Sequence, residues 1–184
     1  GTGKTLSALW AADYLMKLGK VRRVLILCPL SIMHSAWMGD INSSIIHRSA
    51  VIAHHPQAAR RIEMIQRDYE IVITNYEGLN LIAEEVKADG RFDLVIVDEA
   101  NAYKTPTTNR WKALKAILKP ETRLWMMTGT PTPNGPLDAY GMAKLVNNCK
   151  GESFYSYQDR TMTKVSMYKW VPKSGSHAAA MQLL

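Results

Sequence analysis

Cysteine is nearly absent from this 184-residue chain, which carries only Cys28 and Cys149. Two cysteines so far apart make neither a metal-ligand spacing nor a disulfide framework. That argues against zinc modules and stapled secreted scaffolds and favours a reducing compartment. His54 and His55 have no cysteine cluster to join and read as surface residues. No apolar run reaches membrane-spanning length, so no membrane is expected among the partners. Internal repeats and low-complexity blocks are absent too. Acidic residues are outnumbered 16 to 23 by lysine and arginine, a net charge of +7. Such an excess serves solubility or a surface that meets phosphates, and charge alone does not choose.

What is present is a rhythm. Apolar residues make up 47 % of the chain, enough for the core of one domain with room for an appendage. Residues Thr5 to Leu18 read as a helix, with Leu6, Leu9, Trp10, Leu15 and Leu18 near helical spacing and alanines between them. Few polar faces remain, so burial on most sides is expected. Val24 to Cys28 is a short, near-continuous apolar run of the kind found in buried parallel strands. Ser31 to Trp37 starts a helix. Further strands are expected at Ser49 to Ala53, Glu70 to Ile73, Phe92 to Val97 and Arg123 to Met127. Helices are expected at Pro56 to Arg67, Glu77 to Lys87, Thr107 to Leu118 and Leu137 to Val146. Trp37 and Trp111 read as core residues, and Arg60 and Arg61 as a solvated face. The alternation is that of an α/β fold with an open parallel sheet, whose ligands bind beyond the C-terminal ends of the strands.

The rhythm breaks at Gly151. From Lys144 onward there are six basic and two acidic residues, interleaved with Phe154, Tyr155, Tyr157, Tyr168 and Trp170. The aromatics suit an extension packed on a neighbour. The lysines suit either solvent or a nucleic acid. KVSMYKW, residues 164 to 170, has the pattern of a strand, and the last residues that of a helix beginning.

Polar residues gather at the strand ends. The opening GTGKT is the right half of the phosphate-loop pattern Gly-x4-Gly-Lys-Ser/Thr, with no first glycine upstream of Gly3, Lys4 and Thr5. A helix start offers N–H groups to anionic oxygens. LVIVDEA ends a buried strand on two carboxylates, Asp98 and Glu99, which are costly there unless they meet a cation or act as a base. Thr128, Gly129 and Thr130 follow the next strand and are placed to bond the carboxylates or a phosphate.

These strings, in this order, resemble the first RecA-like domain of superfamily 2 helicases and translocases. Within that group the chain is similar to SNF2-like DNA-dependent ATPases, viral forms included. GTGKT looks like motif I, LILCPLSIMHSAW like motif Ia, IVITNYEGL like motif Ib, LVIVDEAN like motif II and LWMMTGTPTPNGPLDAYGMAKLV like motif III. The resemblance covers about residues 1 to 148 and implies a parallel-sheet RecA-like P-loop NTPase domain, truncated inside the phosphate loop, with 149–184 as an extension or the start of a linker. It implies ATP and Mg²⁺ as cofactors. Gly1, Thr2, Gly3, Lys4 and Thr5 would bind the triphosphate, and Thr5 and Asp98 the metal. Lys4, Asp98 and Glu99 would be catalytic, Glu99 by polarising the attacking water. Asn101, Thr128, Gly129 and Thr130 would couple nucleotide state to DNA. Pro29, Leu30, Ser31, Thr74, Asn75 and Tyr76 would lie along the phosphodiester backbone, with Ser31 and Thr74 able to contact phosphates. Asn101 departs from the family, which more often has His, Gln or Asp there; asparagine hydrogen-bonds but cannot carry charge or shuttle a proton.

The function this implies is ATP-driven movement along double-stranded DNA, with a second RecA-like domain supplying arginines to the transferring phosphoryl group. The isolated chain is then expected to hydrolyse ATP poorly or not at all. Two alternatives stand beside it: a strand-separating helicase or restriction-enzyme motor subunit, and a nucleic-acid-binding module that has lost catalysis. The compartment would be the cytoplasm for a bacterial protein or a virus of bacteria, and the nucleus for a eukaryotic one.

Overall fold

Each expected apolar run becomes a strand, and the strands order themselves around the first. The computed structural model describes residues 3–148 and 150–183. Gly1 and Thr2 of the expected phosphate loop, and Cys149, lie outside the described residues. Strands β1 (Arg23–Leu27), β2 (Ala50–Ile52), β3 (Ile71–Thr74), β4 (Phe92–Val97) and β5 (Arg123–Met126) form one parallel sheet in the order β2-β3-β1-β4-β5. The chain runs outward from β1 to one edge, returns, and continues on the other side of β1 through β4. The crevice beyond the C-terminal ends of β1 and β4 is therefore a topological switch point, where open α/β sheets bind ligands.

Helices cover both faces. Successive residues of a strand point to opposite sides, so Leu25 and Leu27 join one core while Val24 and Ile26 join the other. The first core packs against α3 (Ala58–Gln66), α4 (Tyr76–Asp89), α5 (Asn109–Ile117) and α6 (Ala139–Val146) through Ile65, Leu79, Ile82, Leu114 and Leu145. The second packs against α1 (Lys4–Lys17), a π-helical turn (Met33–Met38) and α2 (Gly39–Ser44) through Leu9, Met16, Met33, Trp37 and Ile41.

Several expectations need correction. α1 is not buried on most sides: Ala8, Leu9, Ala12 and Met16 face the sheet, whereas Trp10, Tyr14 and Leu18, spaced four apart, are open to solvent. Arg61 is no solvated residue but is buried, donating to the His55 carbonyl at 2.6 Å and to Asn75 Oδ1 at 3.3 Å. His54 and His55 are half-buried rather than on the surface. Arg23, at the start of β1, is also buried; it donates to the Tyr69 and Arg67 carbonyls and pairs with Asp89 at 2.6 Å. Trp111 is in the core as expected, and its indole N–H donates to the Gly141 carbonyl at 2.8 Å.

The C-terminal residues form α7 (Phe154–Thr161), an antiparallel hairpin of β6 (Met162–Lys164) and β7 (Trp170–Pro172), and α8 (Ser176–Leu183). KVSMYKW is thus a strand end, a turn and a strand start rather than one strand. The segment is anchored by Tyr157, fully buried, which stacks on Tyr140 at 5.6 Å and donates to the Pro136 carbonyl at 2.7 Å. Tyr155 and Tyr168 stay exposed.

Candidate active site

Gly3 has φ +73°, a left-handed conformation that L side chains adopt at a cost, and it turns the chain directly into α1. The first turn of α1 thereby presents Lys4 and Thr5 to an open cleft of about 440 Å³. Asp98 and Glu99 line the same cleft from the end of β4. Residues about 95 positions apart in the chain meet because α1 packs on the sheet face above β1 and β4.

Asp98 is buried and Glu99 exposed. The Asp98 N–H donates to the Leu27 carbonyl at 2.8 Å, extending the β1–β4 ladder by one residue. Its Oδ1 accepts from the Glu99 N–H at 3.0 Å and its Oδ2 from the Trp37 indole N–H at 3.1 Å. Its backbone carbonyl accepts from the Tyr76 hydroxyl at 2.6 Å. Glu99 itself sits at φ +48°, ψ +56°. For a residue with a Cβ that conformation costs about 1–2 kcal/mol, and such strain is commonest at functional turns. Nearby Cys28 has its thiol pushed up to about 12 by burial and by the Asp98 charge, so it remains protonated and unreactive at neutral pH.

The expected coupling residues are in contact. The Asn101 side-chain amide donates to Thr128 Oγ1 at 2.9 Å and to the Thr130 carbonyl at 2.7 Å, and the Ala100 N–H donates to the Met127 carbonyl at 2.9 Å. Gly129 is exposed at the tip of this turn.

The expected backbone-contact set divides. Leu30 and Ser31 are exposed in a 3₁₀ turn beyond β1, Pro29 is half-buried before it, and Asn75 is half-buried at the N-terminus of α4. Thr74 and the Tyr76 side chain are corrected. Thr74 is fully buried with its hydroxyl donating to the Ala53 carbonyl at 3.1 Å, so it cannot reach a phosphate. Tyr76 is turned inward, and burial raises its hydroxyl well above the ordinary tyrosine range.

Two residues add to the site that sequence reasoning does not place there. Trp37 is in the core as expected, but it also bonds the site carboxylate. Asp40 lines the cleft as a third acid, from the first turn of α2. For Trp37 the signal is its place at the end of the string that resembles motif Ia; for Asp40 it is only the spacing behind the first strand end.

A family model for the SNF2-related domain matches residues 1–182. The chain belongs to this family. A putative protein p41 from Acyrthosiphon pisum secondary endosymbiont phage 1 is 27 % identical over 177 residues, covering 91 % of this chain and 38 % of that protein. The human helicase-like transcription factor is 29 % identical over 132 residues, 66 % of this chain and 12 % of that one. The SWI2/SNF2 ATPase core of Sulfolobus solfataricus, solved in complex with double-stranded DNA, superposes with a TM-score of 0.73 at 26 % identity, over 86 % of this chain and 32 % of that one. This SNF2-related domain therefore spans well under half the length of these relatives. Its five-stranded parallel sheet with flanking helices has the architecture of that ATPase core.

The donor set of the SNF2-related domain also suits Mg²⁺. That ion takes hard oxygen ligands, typically one or two carboxylates with a hydroxyl and substrate phosphates. The Thr5 hydroxyl and the Asp98 carboxylate share one cleft, and Asp98 is held by two hydrogen bonds with no ion pair among the described residues. Among those residues no group of three or more His, Cys, Asp or Glu forms a cation site by itself.

Proposed function

We propose that this SNF2-related domain is the ATP-binding lobe of a DNA-dependent ATPase that moves along double-stranded DNA. The observation that carries the reading is the convergence of Lys4, Thr5, Asp98 and Glu99 on one cleft at the sheet's switch point. The N–H groups opening α1 and the Lys4 ammonium receive the β- and γ-phosphates. Thr5 and Asp98 would hold Mg²⁺, which would supply charge neutralisation at the phosphates. Glu99, exposed to the cleft beside a buried, immobilised Asp98, orients the attacking water and takes its proton. A second RecA-like lobe supplies the arginines that the phosphoryl group still needs. DNA lies on the other strand ends: Ser31 and the uncapped N-terminus of α4 contact backbone phosphates without reading bases. Support comes from Asn75, whose side chain is held between Arg61 and Glu77 and does not cap its own helix. The similar Sulfolobus core was solved on double-stranded DNA, which supports the choice of duplex.

The test uses a protein that joins this domain to its second lobe, with phosphate release measured with and without a DNA duplex. Hydrolysis stimulated by duplex is expected. Lys4→Ala should abolish it with loss of nucleotide binding. Glu99→Gln should bind nucleotide normally while turnover falls by about 10²-fold or more. Wild-type protein that binds ATP but shows no DNA-stimulated hydrolysis would refute the reading.

A further inference from the structure

Asp98 is gripped from both faces of the sheet. Its side chain lies on the α1 face, where the Trp37 indole N–H donates to Oδ2 at 3.1 Å. Its carbonyl is bonded from the α4 face, where the Tyr76 hydroxyl donates at 2.6 Å. Neither donor is on β4 or the turn that follows it. Trp37 belongs to the π-helical turn that continues the exposed Leu30–Ile32 turn, and Tyr76 directly follows Asn75. π-Helical turns are rare and concentrate at functional sites, and here the turn delivers a fully buried indole to a carboxylate. Among the described residues the Tyr76 hydroxyl is the partner of the Asp98 carbonyl, which the left-handed turn at Glu99 has taken out of the sheet ladder.

We propose that Trp37 and Tyr76 are positioning residues that tie the Asp98 carboxylate and the Asp98–Glu99 turn to the two solvent-facing turns at Leu30–Ser31 and Asn75. This rests on the reading that those turns meet DNA and that Asp98 meets Mg²⁺. A phosphodiester backbone that shifts either turn then shifts a donor to Asp98 directly, with one side chain between the nucleic acid and the metal-binding residue. The route is short because Tyr76 directly follows Asn75 and Trp37 lies in the turn that continues Leu30–Ile32, on the two elements that flank Asp98 above and below the sheet. Partners that orient a metal-ligating group typically change metal affinity or activity by about 10–100-fold when removed.

The experiment uses the two-lobed protein and fluorescent ATP-analogue binding titrated with Mg²⁺, with and without a short DNA duplex. Coupling between two ligands is reciprocal, so the ratio of Mg²⁺ half-saturation with and without duplex measures it. Trp37→Phe removes the N–H and keeps an apolar ring, and should raise the Mg²⁺ requirement about tenfold. Tyr76→Phe removes one oxygen atom and should bring the duplex effect on that requirement close to unity, with duplex affinity in the absence of nucleotide unchanged. Should Trp37→Phe fail to fold, Tyr76→Phe carries the test alone, since it keeps every carbon of the core. Wild-type Mg²⁺ dependence and wild-type duplex coupling in folded variants would overturn the proposal while leaving the motor reading intact. Absence of any duplex effect on the Mg²⁺ requirement of the wild-type protein would also overturn the proposal, whereas only absence of duplex-stimulated hydrolysis would overturn the motor reading.

Discussion

Asn101 spends one amide group on two acceptors, Thr128 Oγ1 and the Thr130 carbonyl. A carbonyl cannot donate, so the Thr130 contact fixes which end of the side chain is nitrogen. The oxygen end, Oδ1, is buried without a partner among the described residues. A neutral amide therefore suffices to join the turn after β4 to the turn after β5 through two hydrogen bonds. Asn101→Ala should lower unfolding stability by about 1–2 kcal/mol in urea titration. Asn101→Asp should be the more harmful at neutral pH, because a carboxylate facing the Thr130 carbonyl has nothing to donate. Stability equal to wild type in both would show that this contact does not order the turn.

At the scale of elements, two features hold the helices on the sheet. One is Asp13 in α1, buried, which bonds Lys17 at 2.6 Å and, with Oδ1, both His47 and Arg48 at 2.8 Å; Arg48 continues to Glu70 at the start of β3. Burial raises the Asp13 carboxyl, but the hydrogen bonds from Lys17, Arg48 and His47 outweigh it and hold the group well below the ordinary carboxylate range. A depressed folded-state pKa contributes stability that is fully present above the unfolded value, about 3.9, and is lost as pH falls toward the folded value. Wild-type stability should therefore drop below about pH 4. Asp13→Asn should cost about 2 kcal/mol at pH 7 and show a shallower acid limb in thermal melts across pH. The other feature is Gly141 in α6, where any Cβ would collide with the backbone carbonyls of Tyr103 and Lys104. Backbone gives way less readily than a flexible side chain, so Gly141→Ala should destabilise by about 2–3 kcal/mol, read as a lower melting temperature. The sheet elements are legible in sequence because buried parallel strands are short apolar runs whatever their partners; the expected Phe92–Val97 strand coincides with β4 and the others agree within a residue at each end. What is not legible depends on distant neighbours. Nothing local distinguishes the outward Trp10 from the inward Trp37, or the wet Arg60 from Arg61, whose guanidinium finds the His55 carbonyl. For the same reason motifs name the site's members, while the inward turn of Thr74 and Tyr76 is invisible to them.

For the whole molecule, the charge balance bears on binding. Most arginines answer a carboxylate, Arg22, Arg23, Arg48, Arg67, Arg91 and Arg160 among them, so much of the +7 excess rests on lysines. On the proposed reading two kinds of contact meet the DNA: charged groups that displace counterions, and neutral donors such as Ser31 and the α4 N-terminus that do not. Only the first kind contributes to salt dependence. The slope of log affinity against log salt for a duplex should be negative, about −0.9 for each phosphate neutralised. Ser31→Ala should weaken duplex binding by a similar factor at every salt concentration and leave the slope unchanged, since a hydroxyl releases no ion. Lys4→Ala should leave both the slope and the nucleotide-free affinity unchanged, because Lys4 faces the cleft shared with Asp98 and Glu99. A Lys4→Ala slope shallower by about one phosphate would place that lysine on the DNA rather than on the nucleotide.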